Sequence, residues 1–268
     1  MCDLLGLSFN TAISAKISLD IFQKRGDVNP DGWGLAFYQD ERLQVIKDAH
    51  SAIDSTLYDF MERYIHTSTL ISHVRRSTMG VPSYLNTHPF YRRLQVGSKR
   101  REIAFAHNGT LTRLEGLHFS DFTPLGETDS EQIFCHLLEA ISTKMIDSWT
   151  KDEFTFIEQK LREINDEHNT LNCLFSDGSY LFCYSDINDH NNGLRFTSQV
   201  APFGTVDLVG SDEKMGSIEL RTEIPSSLDQ SGYLISTRIL TSGKWTELTN
   251  GELVVFKDGY IVYPSTRV

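Results

Sequence analysis

The sequence predicts an α+β fold in which two β-sheets pack face to face and helices cover their outer faces. Strand-like segments come first, two helix-like segments follow in mid-chain, and strand-like segments fill the rest. This order favours layers of sheet and helix around a shared core. Most strand-like segments of the second half are continuous apolar runs rather than alternating ones, so both faces of their sheet should be covered.

The first part of the chain is predicted to be mainly β-sheet. An apolar run from residue 3 to 9 indicates a buried strand, and a helix over 14–24 follows because its apolar residues share one face. The Asn-Pro-Asp-Gly turn at 29–32 precedes a hairpin, and a short amphipathic helix spans 57–64. The further strands predicted here are 33–38, 43–46, 69–74 and 103–106.

Two amphipathic helices are predicted in mid-chain. Thr128 caps the first of them, and Glu131 closes a capping box three residues later. Apolar residues then recur at helical spacing as far as Ile141, and a second helix covers about 152–165. An Asp-Gly turn joins the first two of the strands that follow, which are 171–175, 180–184, 195–198, 233–237, 252–257 and 260–263.

One domain is predicted for residues 1–268, since no repeat, low-complexity segment or linker divides the chain. A hydrophobic content of 40% is enough to bury a full core in a chain of this length. Two polar segments, 186–193 and 211–230, are expected to be surface excursions from that domain.

Charge and hydropathy exclude several classes of partner. A formal net charge of -11 argues against nucleic acid and anionic membranes, which bind basic surfaces. The chain shows no secretion signal and no apolar run of membrane length, so a cytoplasmic location is expected. One basic patch is interpreted as a solvated loop, and it consists of Arg92, Arg93, Lys99, Arg100 and Arg101.

The cysteines predict neither disulfides nor a metal site. They are too few and too widely spaced for a disulfide framework or a Cys-x-x-Cys metal motif. We therefore expect reduced thiols and no bound metal or cofactor. The four residues are Cys2, Cys135, Cys173 and Cys183.

Cys2 stands out because it directly follows the initiator methionine. If Met1 is trimmed, Cys2 carries both a thiol and a free α-amine. The unperturbed amine has a pKa of roughly 7.7–8.0 and the thiol one of about 8.5, so a single residue can supply nucleophile and base near neutral pH. This arrangement is typical of an N-terminal nucleophile hydrolase.

Three polar segments could supply the rest of a site for a zwitterionic substrate. Arg75 follows a predicted strand, and its guanidinium can hold a carboxylate by two parallel hydrogen bonds. Asp129 lies in the first turn of a predicted helix and could bind an ammonium group. Asn108 and Gly109 end another strand, where a side-chain amide beside an unobstructed backbone N–H can form an oxyanion hole.

Five ordered motifs over about 1–135 resemble the class II glutamine amidotransferases, a branch of the N-terminal nucleophile (Ntn) hydrolases, and within them the stand-alone YafJ/Dug3-like type. The motifs are Met-Cys-Asp-Leu-Leu-Gly, Asp-Gly-Trp-Gly-Leu-Ala-Phe-Tyr, His-Val-Arg-Arg-Ser-Thr with Asn-Thr-His-Pro-Phe, Ala-His-Asn-Gly-Thr-Leu and Gly-Glu-Thr-Asp-Ser-Glu. The resemblance implies the Ntn-hydrolase fold, a four-layer αββα sandwich of two mainly antiparallel sheets.

The resemblance also implies roles for individual residues. Cys2 would be the nucleophile, and the glutamine would be held by Arg75 at its α-carboxylate and by Asp129 at its α-ammonium. Asn108 and Gly109 would stabilise the oxyanion, and Thr78 would belong to a loop that closes over the substrate. The reaction would release ammonia from glutamine without a cofactor, to water or to an ammonia-accepting partner protein. The oligomeric state is not predicted.

Three alternatives remain open at this stage. The substrate could be a γ-glutamyl peptide, because the same recognition would serve a different leaving group. The chain could also be a non-catalytic subunit that keeps the fold and binds a partner. A zinc hydrolase would use three histidines near strand ends, although their spacing matches no metal motif. Those histidines are His73, His88 and His107.

Overall fold

The computed structural model of the chain describes residues 2–14, 23–190, 193–201, 205–209, 214–219 and 230–267. The helices are α1 (Thr56–Tyr64), α2 (Asp129–Thr143) and α3 (Lys151–Ile164). The strands are β1 (Asp3–Ser14), β2 (Trp33–Gln39), β3 (Arg42–Asp48), β4 (His66–Val74), β5 (Phe90–Val96), β6 (Lys99–Thr110), β7 (Thr170–Ser176), β8 (Leu181–Tyr184), β9 (Arg195–Val200), β10 (Thr205–Val209), β11 (Lys214–Glu219), β12 (Ser231–Ser236), β13 (Thr246–Glu247), β14 (Leu253–Lys257) and β15 (Tyr260–Tyr263).

These strands form two large antiparallel sheets. The first sheet has the order β13-β9-β12-β1-β4-β2-β3, and the second has the order β15-β14-β8-β7-β6-β5. Among the described residues, strands β10 and β11 pair only with each other. The first strand of the chain therefore lies inside the first sheet, between β12 and β4, and its start is held from both sides.

Three hydrophobic clusters define the layers. One lies between the sheets and joins Leu4 and Ile71 of the first sheet to Leu174 and Val254 of the second. A second cluster packs α2 and α3 on the outer face of the second sheet, and a third packs α1 on the outer face of the first. The predicted α+β, four-layer αββα sandwich is thus confirmed. Within the described ranges, no helix is long and apolar enough to cross a membrane.

The predicted helix over 14–24 begins too early. Ser14 belongs to β1, because the strand resumes pairing with β4 after a bulge and ends opposite His66. Residues 15–22 lie outside the described residues. A 3-10 turn at Arg25–Asp27 follows, stabilised by the bond from the Asn29 amide to the Arg25 carbonyl, 3.0 Å long.

The basic patch is not a solvated loop, and this interpretation was wrong. Strand β5, which was not predicted, pairs with β6 and places most of the patch on a hairpin. Three of its four guanidinium groups have carboxylate partners, which come from α2, from β6 itself and from the β7–β8 turn. The ion pairs are Arg92–Glu131 at 2.5 Å, Arg93–Glu102 at 2.8 Å and Arg101–Asp177 at 3.2 Å.

Of the two predicted surface excursions, the first is exposed at residues 187–190 but not at its first residue. Asp186 is fully buried and accepts hydrogen bonds from the Asn165 side chain and the Leu171 amide, so the first segment starts in the core. In the second segment, Lys214–Glu219 form strand β11. The remainder of 211–230, apart from Gln230, lies outside the described residues.

The residues predicted to cap the start of α2 were correct in part. Thr128 caps α2 as predicted, accepting a bond from the Glu131 amide. The Glu131 carboxylate does not close a capping box, because it instead accepts bonds from the Leu125 and Gly126 amides and pairs with Arg92. The chain entering α2 is thereby held against β5.

Candidate active site

The pairing of β1 with β4 brings Cys2 to the predicted arginine. Asp3 pairs with Val74, so the residue before Asp3 lies beside the residues that follow β4. The Cys2 thiol accepts a bond of 3.2 Å from the Arg76 amide and donates one of 3.3 Å to the Arg76 carbonyl. The backbone that continues from Arg75 therefore fixes the sulfur directly.

The thiol of Cys2 is held in its protonated form. Burial raises its pKa above the ordinary value, and this effect outweighs the Arg76 amide bond and the positive charge of Arg75, both of which lower the pKa. The thiolate is the nucleophilic form of cysteine. A base must therefore take the proton before Cys2 can attack a substrate.

Arg75 is buried, and its guanidinium binds the loop that follows it. Its Nη2 donates to the Ser77 hydroxyl at 3.0 Å, to the Met79 carbonyl at 2.8 Å and to the Gly80 carbonyl at 3.1 Å. The positive charge therefore faces neutral oxygens. Because a carboxylate accepts stronger bonds from a guanidinium than a carbonyl does, a substrate carboxylate can displace these partners.

The loop 76–81, which we call the covering loop, is tied to both sheets. The Ser77 amide donates to the Asp31 carboxylate at 2.7 Å on the side of the first sheet. The hydroxyl of Thr78 lies 3.1 Å from that of Thr110, at the end of β6 in the second sheet. The loop therefore spans the gap between the sheets beside Cys2.

Gly109 occupies a position that accepts no side chain. A Cβ built there would lie 2.0 Å from the Thr170 carbonyl oxygen and 2.4 Å from His107 Nε2. The neighbouring Asn108 is buried, and its carbonyl accepts a bond of 3.4 Å from the Asn172 side chain on β7. The close approach of β6 to β7 thus explains the glycine of the Asn-Gly pair.

Asp129 and His107 join α2 to the end of β6. The Asp129 carboxylate is buried and accepts a bond of 2.6 Å from the Leu111 amide. His107 Nε2 donates to the Thr170 carbonyl, so Nδ1 accepts from the Ser130 hydroxyl, each at 2.9 Å. Both nitrogens of His107 are therefore occupied by structural bonds.

One small cavity, of about 20 Å³, brings most of the predicted residues together. Five of the six predicted site residues line it, namely Cys2, Arg75, Thr78, Gly109 and Asp129. Asn108 does not line it. The other lining residues are Arg76, Met79, His88, His107, Thr128 and Ser130.

Two buried histidines pack against each other here, and one of them, His88, lines the cavity. The rings of His73 and His88 are 4.3 Å apart between centroids, and their nitrogens have no hydrogen-bond partner among the residues that the structure describes. Burial lowers the pKa of His73 to about 3 and the pKa of His88 well below its ordinary value. Both rings are therefore neutral at physiological pH.

This burial predicts a pH-dependent stability. Below about pH 6.5 an unfolded histidine binds a proton that the folded chain does not take up at His73 until about pH 3. Stability rises with pH where the unfolded state holds more protons, so the free energy of unfolding should fall from pH 7 to pH 5.5. Urea unfolding at both pH values measures this. A His73→Phe variant should show a shallower fall of the free energy of unfolding over the same pH range. A flat profile in the wild type would contradict the burial argument.

The zinc-hydrolase alternative gains no support from the geometry. In the part of the chain that is described, no group of three His, Cys, Asp or Glu side chains is arranged to hold a metal ion. The nitrogens of His107 are engaged by Ser130 and Thr170. All four cysteines are free thiols, as predicted.

Comparison with known proteins finds relatives that match nearly the whole chain. The MJ1515 protein of Methanocaldococcus jannaschii is 38% identical over 269 residues, covering 100% of this chain and 72% of its own. The YafJ protein of Escherichia coli is 30% identical, covering 96% of this chain and 97% of its own. A crystal structure of a predicted glutamine amidotransferase from Pseudomonas aeruginosa PA01 superposes with a TM-score of 0.71 at 27% identity, covering 98% of this chain and 100% of that one.

The family match extends over nearly the whole chain. Residues 1–267 match the profile described as Glutamine amidotransferases class-II. The ordered motifs had indicated this family and its YafJ/Dug3-like type, and the relatives confirm both. The chain therefore belongs to the class-II glutamine amidotransferases.

Proposed function

We propose that this protein hydrolyses the γ-carboxamide of glutamine through a γ-glutamyl thioester on Cys2 and releases ammonia. The observation that carries the proposal is the shared cavity, in which a thiol, a guanidinium and a carboxylate meet at Cys2, Arg75 and Asp129. A zwitterionic amino acid with a side-chain amide requires this set, since its carboxylate, its ammonium and its electrophilic carbon each find a partner.

The α-amine of Cys2, freed by removal of Met1, serves as the base. The raised pKa of the thiol means that a proton must be removed before attack. His107 is a poor candidate because both its nitrogens hold structural bonds. The amine takes the thiol proton directly or through one water, the thiolate attacks the carboxamide carbon, and the amine returns the proton to the departing ammonia. Water then cleaves the thioester to give glutamate.

The covering loop must move for glutamine to enter. A cavity of about 20 Å³ holds about one water molecule, far less than an amino acid. The bonds from Arg75 to the carbonyls of Met79 and Gly80 must therefore give way to the substrate carboxylate. Thr78 then returns with the loop and separates the thioester from bulk solvent.

An ammonia-release assay tests the proposal. Protein with a mass-verified amino terminus should release one ammonia and one glutamate per glutamine consumed. γ-Glutamyl-cysteine and glutathione, run in parallel, test the peptide alternative, because they share the γ-glutamyl group but have another leaving group. If the protein turns over none of these compounds, the non-catalytic alternative is the one that stands.

Two substitutions should separate binding from chemistry. Arg75→Ala should mainly raise KM, because it removes the partner of the substrate carboxylate in both the ground state and the transition state. Asn108→Ala should mainly lower kcat, by roughly 10²–10³-fold if its amide is aimed at the oxyanion. Steady-state kinetics on glutamine measures both. The reverse pattern would exchange the two roles.

The remaining expectations from the sequence belong to this proposal. We propose that residues 1–268 work as a single domain in the cytoplasm, without a cofactor. The ammonia passes to water or to an accepting partner protein. Glutamate formation that exceeds free ammonia when a cell extract supplies an acceptor would indicate such a partner.

A further inference from the structure

The residue after the proposed nucleophile is a buried carboxylate between two arginines. Asp3 is 1% exposed. Its Oδ2 accepts a bond of 2.7 Å from Arg25 Nε and one of 3.0 Å from the Asn29 side-chain amide, and its Oδ1 accepts one of 2.8 Å from Arg238 Nε. A buried charge with this many partners ties together three segments that are far apart in the sequence.

Asp3 lies on the opposite face of the sheet from the cavity. Side chains alternate along a strand, and Leu4 belongs to the cluster between the sheets whereas Leu5 belongs to the cluster on the outer face. Asp3 therefore shares the outer face with Leu5, and Cys2 shares the inner face with Leu4. Asp3 is not among the residues that line the cavity, so it reaches Cys2 through the backbone and through its negative charge, which adds to the rise in the pKa of the thiol.

The end of β12 holds the same stretch of backbone from one side. The Leu4 amide donates to the Thr237 hydroxyl at 3.1 Å, and the Leu4 carbonyl accepts from the Ser236 hydroxyl at 2.9 Å and from the Thr237 amide at 3.2 Å. Arg238 follows directly and reaches Asp3. Three consecutive residues, 236–238, therefore form hydrogen bonds with Asp3 and Leu4, the two residues after Cys2.

The segment on the other side also reaches the covering loop. Beyond Asn29, the Asp31 amide donates to the Arg75 carbonyl at 3.0 Å, and the Arg75 amide donates to the Gly32 carbonyl at 2.7 Å. The Asp31 carboxylate accepts from the Ser77 amide. The segment from Asn29 to Gly32 therefore contacts Asp3, the backbone of Arg75 and the covering loop.

We propose that Asp3 is a positioning residue, which holds the backbone of Cys2 at a fixed place relative to Arg75 by joining Arg25 and Arg238. The proposal rests on the function proposed above. Without the carboxylate, two guanidinium groups would face each other with no counter-charge, and the segments that carry them would separate. A misplacement of about 1 Å in a reacting group can cost on the order of 10²-fold in rate.

The test is Asp3→Asn, which keeps the shape and removes the charge. We expect kcat for ammonia release to fall by roughly 10²-fold. Inactivation by a glutamine analogue that carries an electrophilic carbon in place of the γ-carboxamide should slow equally, because it needs the same alignment. Alkylation by iodoacetamide should change little, because that reagent needs no alignment with Arg75. A normal kcat would overturn the proposal, and so would an alkylation rate that falls in step with kcat.

Matched variants separate positioning from loss of stability. Asp177→Asn breaks another ion pair, the partly buried one with Arg101, away from the cavity, and should retain kcat. Asp3→Glu keeps the charge and should recover most of kcat. Arg238→Gln, which leaves Arg25 in place, replaces Asp3→Asn if that variant does not fold, and should lower kcat to a smaller extent. An equal loss in Asp177→Asn would overturn the proposal.

Two measurements keep this inference distinct from the proposed function. If the wild-type protein neither releases ammonia nor reacts with the glutamine analogue, the proposed function fails. How firmly the backbone next to Cys2 is held is then measured by hydrogen exchange of the peptide that contains residues 3–8. Faster exchange in Asp3→Asn than in Asp177→Asn supports the proposal, and unchanged exchange overturns it.

Discussion

Replacing Cys2 by alanine should abolish ammonia release from glutamine while the fold is retained. The expected loss is roughly 10³-fold or more, because no other group at the site forms the covalent intermediate. The side chain is small and its two bonds to the Arg76 backbone are solvent-exposed, so water can replace them and the free energy of unfolding should change little. Ammonia assays and urea unfolding on the same preparation measure both quantities.

Cys135 offers the matched control. It is buried in α2, and burial raises the pKa of its thiol to about 11, so it is not a nucleophile at neutral pH. Cys135→Ala should therefore keep its turnover. Full activity in Cys2→Ala, or an equal loss in Cys135→Ala, would remove the basis for a nucleophile at residue 2.

Gly109→Ala should cause a large loss of both stability and kcat. A Cβ at this position would lie 2.0 Å from the Thr170 carbonyl oxygen, so β6 or β7 must shift. Overpacking of this kind costs about 1–3 kcal/mol of stability. The shift also displaces the proposed oxyanion donors at Asn108 and Gly109, and losing one such donor costs on the order of 10²–10³ in kcat. Thermal unfolding and steady-state kinetics measure the two effects.

Gly243→Ala is the control for this substitution. The atom nearest to the added methyl group would be the Thr241 hydroxyl oxygen at 3.7 Å, which is ordinary van der Waals contact. Stability and turnover should stay close to those of the wild type. A Gly109→Ala protein with unchanged kcat would show that the backbone at this position does not touch the reacting atoms.

Much of the fold followed from local pattern. The hairpin β2–β3, the helices α1, α2 and α3 and most strands of the second half were predicted because their apolar spacing is regular. Strand β5 was missed because its arginines suggested a loop, although Phe90, Leu94 and Val96 are buried on one face of the strand. The end of β1 was missed because its pairing with β4 is a tertiary contact.

The site was predicted as a set of residues but not as a set of contacts. Ordered motifs pointed to Cys2, Arg75 and Asp129, and the cavity contains all three. No spacing rule could show that Arg75 binds its own loop, since those bonds depend on how the loop folds back. Likewise, Asp3 pairs with arginines that lie 22 and 235 positions away in the sequence. Glu131 pairs with Arg92 on strand β5.

The central claim is that Cys2 carries the γ-glutamyl group of the substrate. The most direct test is to quench the protein with acid during turnover of glutamine and to analyse its amino-terminal peptide by mass spectrometry. We expect a peptide that begins at Cys2 and carries one glutamyl group on sulfur, which hydroxylamine removes. A peptide that stays unmodified while ammonia is being released, or a glutamyl group on another residue, would contradict the claim.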